Sequence, residues 1–165
     1  MNSRMPSLKV AFGFDSHRVS EERRLVLAGV GFPGEAGLLG HSDADVIAHA
    51  VIDALASAAG LGDIGRLFPD YDPGYEGADS MLLLSRVAGM AGEKGFRVVN
   101  CDCVLIAERP RIAGKSAEMA ENLSKAMSLE TGAVSVRGKT NEGMDSIGRG
   151  EGMASYAVML VEKVR

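Results

Sequence analysis

The segment "GHSDADVIAHAVIDAL", Gly40 to Leu55, carries the clearest structural pattern in the chain. Its apolar residues recur at the spacing of an amphipathic helix, and the same pattern continues as far as Gly60. Ser42 or Asp43 can serve as the N-cap, and Gly60 provides the stop. We therefore predict a long helix here, which is the strongest helical pattern in the chain.

Strand and helix patterns alternate on both sides of this helix. Upstream, "LKVAFGFD" predicts a strand that ends at Asp15, and "RLVLAGVGFP" predicts a short second strand or hairpin that closes at Pro33 and Gly34. Because no repeat, linker or low-complexity tract is present, residues 1–165 are predicted to form a single α/β domain. After a loop over 61–77, the remaining predicted elements are a helix over 78–95 begun by Asp79 or Ser80, a strand over 96–108, a helix over 115–129, and strands over 133–140 and 154–164.

The composition excludes several classes of function. With 165 residues, 46% of them hydrophobic, the chain can build one core. The net charge of −4, without any run of Lys or Arg, argues against a nucleic-acid surface. An anionic small substrate would need local positive charge, which a bound divalent metal can supply. The N-terminus lacks a signal-peptide pattern and no apolar run reaches the roughly 18 residues of a membrane span, so we expect a cytoplasmic protein.

The two cysteines lie in the predicted strand "VVNCDCVLIAE". Alternate residues of a strand share a face, so Cys101 and Cys103 should point the same way. Their spacing is not the usual zinc or redox spacing. We interpret them as two small buried residues in a reduced compartment, with a redox or metal role as the alternative.

All three histidines fall in two short stretches, and the longer of these stretches carries a regular polar series. His41, Asp45 and His49 follow one another at steps of four. Asp53 extends the series by one more step, so these side chains would form one polar stripe as far as the helix reaches. An ordinary amphipathic helix would give such a stripe to Lys and Glu.

The shorter stretch, "GFDSHRV", places Asp15 and His17 two residues apart at the end of a predicted strand. Both would share a face and could converge on a metal if that strand end abuts the helix. One Asp oxygen and two imidazole nitrogens with an open fourth position are typical of catalytic zinc, whereas structural sites are closed and cysteine-rich. The alternative is that each His is a surface or satisfied core residue and each Asp a helix cap.

A third segment, "GKTNEGMDSIGRGEG", resembles a phosphate-binding loop only in part. Gly138, Lys139 and Thr140 match the end of the Walker pattern. That pattern also requires a glycine where this chain has Ala133, and a helix where this chain becomes glycine-rich. We therefore reject a P-loop here.

Taken together, these motifs resemble a known enzyme family. "GFDSH", "GLLGHSDADVIAHAVIDALASAAGLGDIGRLFPDYDP", "GADS", "IAERPRI" and "GRGEG" occur in the order and approximate spacing of the 2-C-methyl-D-erythritol 2,4-cyclodiphosphate synthases of the non-mevalonate isoprenoid pathway. The resemblance extends from about Lys9 to Val164. It implies an α/β (α+β) domain with a mixed β-sheet and helices on one side. It also implies a homotrimer with active sites between subunits, and no nucleic-acid or membrane partner.

The resemblance implies a specific reaction, catalysed by a phosphorus-oxygen lyase. The substrate would be 4-diphosphocytidyl-2-C-methyl-D-erythritol 2-phosphate, whose 2-phosphate attacks the β-phosphorus, expels CMP and leaves a cyclic diphosphate. No enzyme nucleophile is required, so catalysis would depend on positioning and on charge neutralisation. Zinc would hold the β-phosphate, and magnesium or manganese would bridge the α and β phosphates.

The family pattern assigns the metal ligands residue by residue. Asp15, His17 and His49 match the zinc ligands, and Glu142 matches the carboxylate for magnesium or manganese. Asp53 lies one turn beyond His49, and we infer that its carboxylate binds the outer nitrogen of a ligand imidazole and so fixes that ring.

The same pattern assigns catalytic and substrate-binding residues. His41 matches a residue close to the reacting phosphates, and Thr140 matches a threonine that stabilises the transition state. The other implied substrate contacts are Ser42, Asp63, Ile64, Gly65, Phe68, Pro69, Asp70, Tyr71, Asp72, Ala107, Pro110, Arg111, Ile112, Gly138, Lys139, Asn141 and Arg149.

Some of these segments have simpler interpretations, and some depart from the family. As bare sequence, "AERPRI" and "GRGEG" could be turns, and "GDIG" and "FPDYD" could be loop carboxylates and turns. Lys139 and Asn141 replace residues of a common TTTE pattern, and Ser146 stands where the family often has Phe. Because that Phe lines a central cavity in the family, whether this chain binds an isoprenoid diphosphate there stays open. The implied position of Arg149 and Glu151 is near the trimer axis.

Two other functions are compatible with the same residues. A zinc phosphohydrolase would direct water at the phosphate, and its product would be simple phosphate release. A non-enzymatic trimer would use the metal only to stiffen its subunit contact, and it would show no turnover with the metal bound. The open metal position favours the cyclase, since a structural site would not need one.

Overall fold

The computed structural model describes residues 7–164. One five-stranded sheet has the order β2-β1-β5-β3-β4. Its strands are β1 (Ser7–Leu27), β2 (Val30–Leu38), β3 (Phe96–Ile106), β4 (Val134–Lys139) and β5 (Gly152–Lys163). The helices are α1 (Val46–Ala58), α2 (Ile64–Leu67), α3 (Ser80–Glu93), α4 (Ser116–Ala126) and α5 (Asp145–Gly148), with a 3-10 turn over Pro73–Tyr75.

The sheet is mixed, as expected from the family resemblance. β1 pairs antiparallel with β2 and with β5, and β3 pairs antiparallel with β5. Only β3 and β4 run parallel, and α4 lies in the connection between them. A parallel pair needs such a crossover, so the helix predicted over 115–129 explains the one parallel pairing.

Helices cover one face of the sheet. Along β5, Ala157, Met159 and Val161 are buried, whereas the intervening Tyr156 and Val158 are exposed. This period of two means that one face of the strand packs against a second layer. α1 provides the centre of that layer, contacting β1, β3 and β5 on one side and α3 on the other. The prediction of a single domain with helices on one side of a mixed sheet is confirmed.

The opposite face of the sheet is apolar yet uncovered in the single chain. Two aromatic pairs lie on it: the Phe12 and Tyr156 ring centroids are 5.8 Å apart, and those of Phe14 and Tyr156 are 5.0 Å apart. A contiguous apolar surface of this kind is uncommon on a monomer and usually marks an interaction site. We call it the apolar sheet face; its exposed members are Leu8, Val10, Phe12, Phe14, Tyr156 and Val158.

The N-terminal hairpin differs from the prediction. The segments predicted as separate elements belong largely to one strand, Ser7–Leu27, and the chain reverses at Ala28 and Gly29 rather than at Pro33 and Gly34. Ala28 and Gly29 have φ values of +48° and +72°, the left-handed conformation that two-residue hairpin turns require. Asp15 therefore lies within a strand and not at its end.

The main helix begins later than predicted. Asp45, and not Ser42 or Asp43, is the N-cap, and the first helical residue is Val46. The buried Asp45 carboxylate accepts hydrogen bonds from Ala48 N within the helix, and from Ala28 N and Gly29 N in the hairpin turn. These partners make Asp45 the better cap, because its carboxylate satisfies backbone donors in two separate elements.

The late start breaks the predicted polar stripe. Of its four members, only His49 and Asp53 lie on α1, while His41 precedes the helix and Asp45 caps it. The predicted helix ends are more accurate. Gly60 (φ +65°) follows α1 and Gly95 (φ +78°) follows α3, each in the left-handed conformation that ends a helix.

The two cysteines are buried and lie on one face, as predicted. Their Sγ atoms are 3.7 Å apart. The hydrogen bond with Cys101, together with burial, raises the pKa of the Cys103 thiol well above its ordinary value. A protonated, buried thiol is a poor nucleophile and metal ligand, so this environment favours a packing role.

Within residues 7–164, no helix combines the length and the apolar character needed to cross a membrane. The cytoplasmic location stays a prediction.

Candidate metal centre and active site

Three predicted ligands from distant parts of the chain converge on one point. Asp15 Oδ2 lies 2.9 Å from His17 Nε2 and 2.9 Å from His49 Nδ1, and the two imidazole nitrogens are 3.1 Å apart. Each ligand atom is within 4.8 Å of the others. One ion at about 2.0–2.2 Å from each donor fits atoms spaced in this way.

Two glycines allow this convergence. A Cβ on Gly13 would lie 1.9 Å from Ala50 O, so only glycine lets β1 lie directly against α1 at this level. Gly40 plays a similar part, because a Cβ there would come within 3.1 Å of His17 Cε1 and 2.9 Å of Ala44 Cβ. The close approach of strand and helix brings His49 to the strand that carries the other two ligands.

Hydrogen bonds on the far side of each imidazole fix the two rings. His17 Nδ1 lies 2.8 Å from Leu39 O and donates to it, since a carbonyl can only accept. His49 Nε2 lies 2.9 Å from Ser80 Oγ and 3.0 Å from Ser42 Oγ. The remaining nitrogens, His17 Nε2 and His49 Nδ1, therefore face each other and Asp15. Such outer contacts orient ligand imidazoles in metal sites.

Asp15, His17 and His49 bring three ionisable groups together at a largely buried position. Burial alone would raise the pKa of Asp15, but the hydrogen bonds and positive charge offered by His17 and His49 outweigh it and hold that pKa well below its ordinary value. Burial would lower the pKa of His17, but the hydrogen bond and charge of Asp15 raise it. A bound cation would take the place of the protons that the histidines share with Asp15.

Asp53 does not have the role predicted for it. Its Oδ1 accepts a hydrogen bond from Ile64 N at 3.4 Å, which links α1 to α2, and burial raises its pKa. The side-chain groups that contact the far side of His49 are instead Ser42 and Ser80. Ser80 follows the N-cap of α3, and no spacing in the sequence connects it to the histidines.

A cavity of about 350 Å³ opens above the three ligands. His41 lies in its wall, and its Nε2 donates to Asp72 O at 3.1 Å. Six of the predicted catalytic or substrate-binding residues line this cavity: His41, Ser42, Ile64, Gly65, Phe68 and Asp70. Sequence reasoning missed four other wall residues: Leu39, Gly40, Tyr75 and Leu83.

Other predicted contacts of the same loop shape its backbone instead of lining the cavity. Asp63 caps α2 by accepting from Arg66 N at 2.8 Å, and Asp72 accepts from Gly74 N at 2.9 Å. Tyr71 is 89% exposed. Pro69 is half-buried beside Phe68 and its carbonyl accepts from Asp72 N at 3.0 Å.

The remaining predicted contacts, apart from Arg149, form a second region, which we call the nucleotide half-site after the role predicted for it: Ala107–Ile112 and Gly138–Glu142. Within the described chain, none of these residues lines the cavity above the metal ligands. Asp15 on β1 is in register with Gly138 on β4 through β5 and β3. Three strand spacings separate their backbones by roughly 14 Å. One chain therefore keeps the two regions apart.

Glu108 organises the nucleotide half-site, although sequence reasoning did not single it out. Its Oε1 accepts from Asn141 N at 2.8 Å and from Gly143 N at 3.4 Å. Between these two donors, Glu142 has a φ of +51°, and its Oε1 accepts from Thr140 Oγ1 at 2.7 Å. The carboxylate of Glu142 is exposed, and among residues 7–164 its hydrogen-bond partner is this threonine alone.

Two open cavities adjoin the half-site. Pro110 and Arg111 line one of about 680 Å³, while Arg149, a predicted contact outside the half-site, lines another of about 490 Å³ together with Glu108. Arg149 Nε donates to Glu151 Oε1 at 2.7 Å. Ala107 and Ile112 are buried, and Lys139 ends β4.

Comparison with known protein families agrees with this geometry. A profile described as the YgbB family matches residues 8–162. The chain is 46% identical over 156 residues to a 2-C-methyl-D-erythritol 2,4-cyclodiphosphate synthase of Geotalea daltonii, covering 94% of this chain and 91% of that protein. It is 53% identical over 153 residues to a bifunctional enzyme IspD/IspF of an Anaeromyxobacter species, covering 93% of this chain and 39% of the larger protein.

Solved structures resemble this chain both in fold and in sequence. The bifunctional IspDF of Campylobacter jejuni superposes with a TM-score of 0.92 at 37% identity, covering 96% of this chain and 43% of that one. A CDP complex of IspF from Plasmodium falciparum superposes with a TM-score of 0.83 at 28% identity, covering 98% of this chain and all of that one. The chain spans less than half of each bifunctional protein, and it belongs to the YgbB family of 2-C-methyl-D-erythritol 2,4-cyclodiphosphate synthases.

Proposed function

We propose that this protein converts 4-diphosphocytidyl-2-C-methyl-D-erythritol 2-phosphate to 2-C-methyl-D-erythritol 2,4-cyclodiphosphate and CMP. The observation that carries this proposal is the convergence of Asp15, His17 and His49 at an open cavity in a chain of this family. Structural relatives solved with CDP support a cytidine diphosphate substrate. Attack by the 2-phosphate on the β-phosphorus releases CMP, so the chain needs no nucleophile of its own.

Asp15, His17 and His49 would hold zinc, since two imidazoles and one carboxylate suit that ion and leave a position free. Bound there, zinc would supply positive charge that polarises a phosphate oxygen. The chain's own residues then position the substrate. His41 and Ser42 line the cavity beside the ligands. The Ser42 hydroxyl can donate to a phosphate oxygen, and the Nε2 proton of His41 can do the same if it leaves Asp72 O.

Other residues that line the cavity are suited to the methylerythritol part. Ile64 and Phe68 present apolar surface, and the Phe68 ring packs edge-on against Tyr75 with centroids 5.2 Å apart. Asp70 also lines the cavity and can accept hydrogen bonds from sugar-alcohol hydroxyls. This division of polar and apolar groups supports one orientation of the substrate, with the phosphates toward the metal ligands.

The nucleotide half-site would provide the second set of groups. Glu142 offers an exposed carboxylate, which is a suitable ligand for magnesium or manganese. The Thr140 hydroxyl now donates to that carboxylate, and turning it away would free it to stabilise a phosphate oxygen in the transition state. Pro110 and Arg111 would face the cytosine, together with the backbone of the Ala107–Ile112 loop.

A homotrimer with active sites between subunits would bring the two regions together. Two observations support this assembly. Within one chain, about 14 Å of sheet separates the metal ligands from Gly138 at the nucleotide half-site. The apolar sheet face, which includes Phe12 and Tyr156, also needs a partner to remove it from water. A neighbouring copy packed through that face could place its nucleotide half-site beside this chain's metal ligands.

Phosphorus NMR of the reaction tests the proposed function. Purified protein loaded with zinc and magnesium is incubated with the cytidyl-diphosphate substrate, and the expected products are CMP and the cyclic diphosphate. Release of inorganic phosphate would identify the zinc phosphohydrolase instead. Unchanged substrate, with the protein folded and zinc bound, would favour a binding trimer.

A further inference from the structure

We propose that Ser80 and Asp43 are positioning residues that fix His49 for metal binding through a two-step hydrogen-bond relay. The relay runs from His49 Nε2 to Ser80 Oγ, at 2.9 Å, and from Ser80 Oγ to Asp43 Oδ1. The proposal rests on the metal centre described above, but it concerns residues that lie behind that centre and outside the cavity.

The direction of the relay follows from the positions of the two His49 nitrogens. Nδ1 faces Asp15 Oδ2 at 2.9 Å and His17 Nε2 at 3.1 Å, so it is the atom available to a metal. A neutral imidazole that binds metal through Nδ1 carries its proton on Nε2. That proton must be donated to a serine hydroxyl, and the hydroxyl of Ser80 in turn donates to the carboxylate of Asp43.

Asp43 is held firmly enough to serve as the end of the relay. Its Oδ2 accepts from Ser80 N at 3.0 Å, and its Oδ1 also accepts from Asp45 N at 3.2 Å. Its own backbone N donates to Ala78 O at 3.1 Å. The carboxylate therefore joins the segment before α1 to the first residue of α3. This anchoring fixes the position of Ser80 Oγ relative to the His49 ring.

Ser80 and Ser42 could each accept the single proton on His49 Nε2, but their surroundings differ. Ser80 is fully buried, and its own proton is committed to Asp43. A hydroxyl that already donates to a carboxylate is the better acceptor, because linked hydrogen bonds polarise one another. Ser42 Oγ accepts from Ala44 N at 3.2 Å and lines the cavity. The Ser42 hydroxyl is thus left free to donate to a substrate phosphate, while Ser80 holds the imidazole.

This arrangement resembles the carboxylate–histidine pairs that support metal ligands in other proteins, with a serine placed between the two groups. Removing such outer partners typically costs about 10-fold to 100-fold in metal affinity. Ser80→Ala removes the acceptor beside His49, and Asp43→Asn keeps an oxygen at the end of the relay but removes its charge. We expect Ser80→Ala to have the larger effect and Asp43→Asn a smaller effect in the same direction.

The experiment measures the affinity of the protein for cobalt(II) and zinc(II) by competition with a chelator, and it also records the visible spectrum of the cobalt form. Ser80→Ala should weaken both metals by about 10-fold or more and alter the cobalt bands. Ser42→Ala, which removes the other hydroxyl beside His49 Nε2, should change metal affinity by less than about threefold while lowering turnover. Asp53→Asn removes a nearby carboxylate that does not contact the histidines, and it controls for charge alone.

Three results would overturn the proposal. One is wild-type metal affinity and an unchanged cobalt spectrum in Ser80→Ala. Another is an equal loss of affinity in Ser42→Ala, and the third is an equal loss in Asp53→Asn. Thermal melting of the metal-free protein shows whether Ser80→Ala folds. If it does not, the metal affinity of Asp43→Asn is measured instead, and a wild-type value in that variant overturns the relay. Because metal affinity is measured without substrate, failure of the relay is distinguishable from failure of the proposed reaction.

Discussion

The metal ligands and the nucleotide half-site differ in how much of their structure one chain completes. His49 is only 7% exposed, and both of its ring nitrogens have polar neighbours from the same chain. Glu142, in contrast, is exposed, and within the described part of the chain its carboxylate has one hydrogen bond, from Thr140. The first region is prepared for its ligand by folding alone. In the second region, hydrogen bonds to Glu108 hold the backbone in place. The side chain predicted to bind a metal there, Glu142, has no such support from a distant segment among the described residues.

Because of this difference, we expect some mutations to change turnover without changing metal affinity. The proposed metal site depends on contacts within one chain, so metal binding should survive changes that separate the subunits of the proposed trimer or alter the nucleotide half-site. In the proposed reaction turnover depends on both regions, so it should be lost in either case. The following variants test that separation.

Replacing a ligand should have the largest effect. His49→Ala removes one of three donors, so the variant should lose its zinc, and turnover should fall by about 1,000-fold or more. Metal analysis of the purified protein and a product assay measure the two quantities. His41→Ala is the matched control, because it removes a histidine from the same cavity that is not a ligand; it should keep zinc while turnover falls. Wild-type zinc content in His49→Ala would contradict the ligand assignment.

Separating the subunits should have the next largest effect. Phe12→Asp places a carboxylate on the apolar sheet face, and burying that charge between subunits should dissociate the proposed trimer and lower turnover by at least about 30-fold. Zinc per chain should stay unchanged. Light scattering gives the mass, with 17.3 kDa expected for the monomer.

A control on another surface makes the subunit result specific. Leu82 is 68% exposed on α3, away from the apolar sheet face, so Leu82→Asp should leave both mass and turnover unchanged. A monomeric Phe12→Asp protein with full turnover would show that one chain contains a complete active site.

Changing Glu142, the proposed ligand of the second metal, should have the smallest effect. Glu142→Gln replaces a carboxylate by an amide, which binds hard cations more weakly, so about tenfold more magnesium or manganese should be needed for half-maximal turnover. Zinc content should not change. Titration of each metal against initial rate provides the measurement. Glu118→Gln, on the exposed side of α4, is the matched control. Identical titration curves for Glu142→Gln and the wild type would remove Glu142 from the metal site.

Several features could not be predicted because they depend on contacts between distant segments. The true N-cap of α1 is Asp45, since its carboxylate also bonds the hairpin turn at Ala28 and Gly29. Local capping rules do not include such partners. Likewise, Asp53 is placed correctly on the helix, but its hydrogen bond goes to Ile64. Helical periodicity gives the direction of a side chain and not the group that it meets.

The main helix and its end at Gly60, the mixture of strands and helices, and the burial of both cysteines were predictable from the sequence, because they follow from local periodicity and turn residues. The three clustered donors were also predicted, but that assignment came from the family resemblance and not from spacing. Only the tertiary structure decided which nitrogen of His49 faces Asp15, that Ser80 lies behind that ring, and that the nucleotide half-site lies across the sheet. Those facts depend on strand register and helix packing, which the order of residues along one segment does not specify.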